Sequence, residues 1–191
     1  LGLYLYGSLV WGDFDLAVSD IDLLAVTAEL PSAEELTALG RLHADFATER
    51  PAWRNRIEVQ YASREYLATF RERRGPIAVI SPGEPFHVVD AGDEWKINWY
   101  FVLAYGQTLA GPAPSAWIAP IGQAEFVAAS RELALNWRER IGKTAGSRPY
   151  QSYSILTLCR AWYTCATGRQ SSKRQAAAWA AERLPEHAPL I

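Results

Sequence analysis

The sequence predicts an α+β protein, with a small mixed-sheet unit over residues 1–112 followed by an α-helical bundle over residues 121–191. Three observations carry this reading. Short apolar runs bounded by polar or turn residues fall in the first half of the chain. From Ala124 onward the chain reads as helix, broken only by brief loops. Between the two lies Pro112 to Pro120, whose prolines mark a linker.

The elements follow in order. Leu3–Tyr6 is a short first strand, and Ile21–Thr27 is a second, buried run. Pro31-Ser32 opens a helix in which Ser32 and Glu35 form a capping box. Its apolar stripe, Leu36, Leu39, Leu42 and Phe46, packs on the sheet, with His43 beside it in a structural role. Arg56–Tyr61 alternates, with Ile57, Val59 and Tyr61 on one face and Glu58 and Gln60 on the other, open face. Ser63 caps a helix that ends near Gly75-Pro76. Residues 77–89 are apolar but interrupted by Pro82, Gly83 and Pro85, and give short strands or loop. An acidic turn, Asp90 to Glu94, precedes a helix that runs to Leu109 and stops at Gly111-Pro112. The bundle helices are Phe126–Ile141, Tyr153–Thr167 and Lys173–Leu184; a loop spans Ala145 to Pro149, Gly168 ends the second helix, and Ser171 or Ser172 caps the third. Trp162-Tyr163 falls in the core of the bundle.

Composition narrows the class. Hydrophobic content of 49% with eight Trp indicates a well-filled core, and a net charge of −2 gives no basic footprint for nucleic acid. There is no uninterrupted apolar run long enough for a membrane span and no signal peptide pattern. Cys159 and Cys165 lie on different faces of one helix, which argues against a disulfide or zinc site. The expected setting is cytoplasmic and the expected state monomeric. The absence of Met and the start inside a strand point to a chain cut short at both ends.

The chemistry concentrates in residues 7–24. Asp20 and Asp22 alternate inside an apolar run and share a face of the strand. Two like charges held that close call for a cation, and hard oxygen ligands suit Mg²⁺, which takes one or two carboxylates together with substrate phosphates. Gly7 and Ser8 offer a close backbone approach and a hydroxyl for a phosphate. Together these residues predict a metal-dependent nucleotide site.

Gly7-Ser8, a spacer, and Asp20-x-Asp22 resemble the signature of the nucleotidyltransferase superfamily. Leu5-Tyr6-Gly7-Ser8 with Ser19-Asp20-Ile21-Asp22-Leu23-Leu24 resembles more closely the aminoglycoside adenylyltransferases that modify streptomycin and spectinomycin. The likeness continues through Leu156 to Tyr163, Thr167-Gly168, Ser172-Lys173, Ala177, Trp179-Ala180 and Glu182 to Pro185. It implies a small mixed-sheet nucleotidyltransferase domain with a helical second domain, and transfer of AMP from ATP to a hydroxyl of an aminoglycoside-like small molecule, with Mg²⁺ bound and pyrophosphate released. Ser19 would add a hydroxyl contact to the phosphates. Glu58 matches the third acid, which serves as general base or further metal ligand. Lys173 matches a lysine that contacts the ATP phosphates, and Glu94 a carboxylate near nucleotide and drug. Arg160 is equally a phosphate partner or half of an ion pair.

The chain departs from the family in three places. The spacer between Gly12 and Ser19 is one residue longer. Tyr150 and Tyr153 stand where the streptomycin enzymes carry an Asp and an Asn that hold the drug. Gly83-Glu84-Pro85-Phe86 replaces the segment with a drug-side tryptophan. The catalytic set is complete, while the drug-binding set differs. Two alternatives remain open: a protein-modifying adenylyltransferase of the antitoxin type, usually shorter and without the bundle, and a non-catalytic nucleotide-binding module, which would be expected to lack one of the three acids.

Overall fold

The computed structural model describes residues 1–191, which form two compact units, Leu1–Pro120 and Ile121–Ile191. The first is built on one six-stranded mixed sheet. Its strands are β1 (Gly2–Tyr6), β2 (Ile21–Thr27), β3 (Ile57–Ser63), β4 (Gly75–Ile80), β5 (His87–Ala91) and β6 (Gln107–Ala110). They lie in the order β5-β4-β3-β2-β1-β6. Only β2 and β3 run parallel, joined by the long helix α2 (Ala33–Glu49) as parallel strands require. The remaining neighbours pair antiparallel.

The Ser32 cap is the one the sequence predicts: Glu35 N–H donates to Ser32 Oγ while Ser32 N–H donates to the Glu35 carboxylate at 2.8 Å. Accepting that backbone N–H and the Ser32 hydroxyl holds the Glu35 carboxyl below its ordinary pKa. The apolar stripe of α2 is less buried than predicted. Leu42 is 59% and Phe46 38% exposed, and no residue of the helix is fully buried. His43 has the structural role expected of it, its Nε2 lying 2.9 Å from the Tyr61 hydroxyl between the Tyr61 and Phe86 rings.

Three other local expectations change, while the short strands expected within residues 77–89 are present. The face of β3 that carries Glu58 is not open, because Gln60 on that face is wholly buried. Gln60 meets the Tyr6 hydroxyl there, and the Tyr6 ring packs on Phe101. Helix α3 (Arg64–Thr69), capped by Ser63 as predicted, stops well short of Gly75, which instead begins β4. Residues 75–91 form the antiparallel hairpin of β4 and β5, with Pro82 and Gly83 in its turn. Helix α4 (Lys96–Tyr105) ends at Gly106, whose backbone turns extended, and Gln107–Ala110 becomes edge strand β6 on β1.

The core of this unit forms around Trp99, which is fully buried and flanked by Tyr66 and Phe70 at centroid distances of 5.7 and 5.0 Å. Tyr4, Leu24, Leu67 and Ile77 are equally inaccessible. α4 is apolar on most of its surface, which suits a helix laid on the sheet beside β1.

The second unit contains α5 (Gln123–Arg140), α6 (Arg148–Thr167) and α7 (Lys173–Arg183). α6 begins earlier than predicted, with Pro149 in its first turn, where a missing N–H costs nothing. It ends at Gly168 in the left-handed conformation, and Ser172 caps α7 by accepting Gln175 N–H at 3.0 Å. Ala176 and Ala180 on α7 meet Cys159 on α6, with Ile155, Tyr163 and Trp179 around them. Trp162 stands 37% exposed with its ring edge on Trp179, outside that core. Both cysteines are free thiols. No helix is long and apolar enough to cross a membrane.

Candidate functional site

The site is assembled by strand register. Asp22 on β2 is the partner of Tyr6 on β1 and of Glu58 on β3. Residues in one row across a sheet project from the same face, so these three side chains emerge together. Asp20, two residues before Asp22, joins them just ahead of β2. Carboxylate oxygens of Asp20, Asp22 and Glu58 all lie within 4.8 Å of one another, and each residue is half-buried. The sequence thus located the three acids that the fold brings together.

The neighbouring residues shape the cluster. Gly7 has φ 73° and ψ −152°, a conformation open to glycine alone. A Cβ there would lie 1.8 Å from Asp22 Oδ2, so the missing side chain is what lets the backbone pass the carboxylate. Ser8 Oγ is buried and has no hydrogen-bond partner. A buried hydroxyl left unpaired costs about 1–3 kcal/mol, and a ligand oxygen would satisfy it. Ser19 is used differently from the expectation. Its Oγ accepts Asp15 N–H at 2.9 Å, and its carbonyl accepts Arg56 Nε and a terminal Arg56 nitrogen at 2.9 and 2.5 Å. Ser19 therefore ties down the loop that delivers Asp20, with Arg56 braced over Trp53 at 4.9 Å.

Two residues the sequence reading passed over touch the site. The Tyr6 hydroxyl donates to Glu58 Oε1 at 3.3 Å, and Gln60 Nε2 donates to the Tyr6 oxygen at 2.5 Å. Burial pushes the Tyr6 phenol well above its ordinary pKa, and the charges of Glu58, Asp22 and Asp20 push it further, so it stays a neutral donor. A signal was present: Gln60 follows Glu58 by two and shares its face, and Tyr6 directly precedes Gly7.

The three acids and the Gly7-Ser8 turn fit a divalent cation with a phosphate. Hard oxygens from three acids converge, and the buried Ser8 hydroxyl has no partner. Glu94 is not among the three clustered acids. Glu94 is engaged by Arg74 at 3.0 Å, in a small network that also holds Asp90. In the helical unit, Lys173 Nζ sits 5.9 Å from the centre of the Tyr153 ring, and Tyr153 leans on Trp137. Tyr150 and Tyr153 are 58% and 52% exposed, while Arg160 is half-buried on α6.

The mixed sheet sets the Gly7-Ser8 turn beside three convergent acids. The fold matches the crystal structure of spectinomycin adenyltransferase AAD(9) from Enterococcus faecialis with ATP and spectinomycin, with a TM-score of 0.77 at 20% identity over 99% of this chain and 78% of that one. Residues 117–191 match the family model of the aminoglycoside adenylyltransferase C-terminal domain. Among curated proteins, the aminoglycoside (3'')(9) adenylyltransferase of Rhizobium radiobacter is 32% identical over 84 residues, which is 44% of this chain and 30% of that protein. The enzyme of the same name from Klebsiella pneumoniae is 33% identical over a stretch of the same length. The matched stretch thus spans under a third of those relatives' length. Residues 117–191 are thus similar to the C-terminal domain of the aminoglycoside adenylyltransferases, and the chain as a whole shares the fold of the solved spectinomycin enzyme.

Proposed function

We propose that this chain belongs to an ATP- and Mg²⁺-dependent adenylyltransferase that moves AMP to a hydroxyl of an aminoglycoside-like small molecule and releases pyrophosphate. The observation that supports it most is the convergence of Asp20, Asp22 and Glu58 within 4.8 Å beside Gly7 and Ser8. Asp20 and Asp22, with Glu58, would hold Mg²⁺, which when bound neutralises charge developing on the phosphates. Glu58 accepts the proton of the acceptor hydroxyl, which is a poor nucleophile at neutral pH. The hydroxyl oxygen bonds to the α-phosphorus of ATP as the bond to the bridging oxygen breaks, and pyrophosphate departs. The backbone at Gly7 and the Ser8 hydroxyl hold the phosphate in line.

For the helical unit, the proposal assigns Lys173 to the nucleotide phosphates and Tyr150 and Tyr153 to the acceptor, on the strength of their positions in the matched segment. Arg160 is the second candidate for a phosphate, and Glu94 for the acceptor's cationic groups. A tyrosine pair in place of an acid and an amide offers stacking surface instead of charge, which points away from streptomycin and toward another acceptor.

The test is pyrophosphate release from ATP and Mg²⁺ against a panel of aminoglycosides, with Asp22→Asn as the control. Release with at least one acceptor, abolished in Asp22→Asn without unfolding, is expected. No release with any acceptor, or a fully active Asp22→Asn, would overturn the reading.

A further inference from the structure

Tyr6, Asp22 and Glu58 form one row across three adjacent strands, and Gln60 stands next to Glu58 on the same face. Tyr6 is 4% exposed and Gln60 wholly buried. A phenol has a single proton. Because the Gln60 amide donates to the phenolic oxygen, that proton is committed to Glu58 Oε1. The opposite setting of the amide would compete with the carboxylate for the proton, and the bond to an ionised acceptor is the stronger of the two. Gln60 Oε1 is buried without any partner, so the contact the amide makes here is the one its N–H group gives Tyr6.

We propose that Tyr6 and Gln60 are positioning residues that together hold the Glu58 carboxylate turned toward Asp20 and Asp22. A glutamate has a loose terminal torsion, and in a cluster of like charges it is pushed away from its neighbours. A donor fixed from behind counters both effects. Tyr6 itself is held by its ring, which packs on Phe101 at a centroid distance of 6.3 Å, so its hydroxyl is the end of a rigid strut. The inference rests on Glu58 serving in the proposed reaction, and it adds what makes Glu58 competent.

Tyr6→Phe keeps the ring and removes the hydroxyl; Gln60→Leu keeps the volume and removes the amide. Two readouts are taken on the full chain: Mn²⁺ affinity by calorimetry without nucleotide, and the kcat and KM of AMP transfer. Each variant is expected to lose about 10- to 100-fold in kcat and to bind Mn²⁺ more weakly, the range seen when outer partners of a ligating group are removed. KM for ATP should stay within about 2-fold, because ground-state nucleotide contacts are untouched. The double variant should be no worse than either single one, since the two residues act as one chain. A Tyr6→Phe protein with unchanged kcat and Mn²⁺ affinity, or single losses that multiply in the double variant, would overturn the proposal. Weakened Mn²⁺ binding in both variants of a chain that transfers no AMP would uphold the positioning role and remove the proposed reaction. A wild-type chain that binds no Mn²⁺ would overturn both.

Discussion

Gly7→Ala is the sharpest perturbation the structure offers. The new methyl would sit 1.8 Å from Asp22 Oδ2. That falls about 1.6 Å short of ordinary contact, so either the carboxylate rotates away or the turn moves. The backbone adds its own resistance: at φ 73° and ψ −152° a side chain costs about 1–3 kcal/mol. The melting temperature should fall by about 3–12 °C for a unit of this size. Displacing Asp22 by more than an ångström should cost at least about 100-fold in transfer and weaken Mn²⁺ binding. Gly12→Ala is the matched control. Gly12 is also left-handed, at φ 77°, but nothing lies within 4 Å of the position its Cβ would take. It should lose about 1 kcal/mol from backbone strain and keep its chemistry. Circular dichroism melts, calorimetry and pyrophosphate release measure the three effects. A Gly7→Ala protein with wild-type transfer, or a Gly12→Ala protein as inactive as Gly7→Ala, would refute the argument.

Glu58→Gln should slow transfer by about 10²- to 10⁴-fold while nucleotide still binds, as for loss of a general base; an unchanged rate in a stopped assay would make Glu58 structural. Burial holds the His43 imidazole below its ordinary pKa of 6.5, so the unfolded chain binds the proton more readily and His43 favours folding above that value. Stability should accordingly decline as pH falls through the depressed folded pKa, and His43→Gln should flatten that decline in melts taken from about pH 7 to 5. Ser32→Ala removes the hydroxyl of the α2 capping box and should cost about 1 kcal/mol in urea unfolding, with no effect on cation binding.

What could be read from the chain was whatever is specified locally or by a short repeat. The Ser32-Glu35 box, the Ser63 and Ser172 caps and the stop at Gly168 are each written in a few adjacent residues, and all appear in the structure. Strand β6 was missed because nothing between Gln107 and Ala110 marks it as a strand. It exists because β1, a hundred residues earlier, offers an unpaired edge. The helix before it ends at Gly106, a glycine that sequence alone does not distinguish from Gly111 as a stop. In the same way Gln60 is met by Tyr6, with Phe101 behind it, and both come from distant parts of the chain. Within the site, Asp20, Asp22 and Glu58 were legible because acids in apolar strands are conspicuous. Tyr6 was not, because a strand tyrosine reads as core until the carboxylate behind its hydroxyl is known.

The parallel pairing of β2 with β3 has one more consequence. Asp22 and Glu58 face each other at a distance set by strand spacing, about 4.8 Å, whatever the length of chain that connects them. Residues 28–50 can lengthen, shorten or change composition without moving the three acids, provided Trp53 and Arg56 still brace Ser19 and the two strands meet in the same frame. A slip of one residue would turn Glu58 to the far side of the sheet. The candidate site is thus modular: a two-strand cassette fixes the spacing of Asp22 and Glu58, and much of the surrounding scaffold can be exchanged around it.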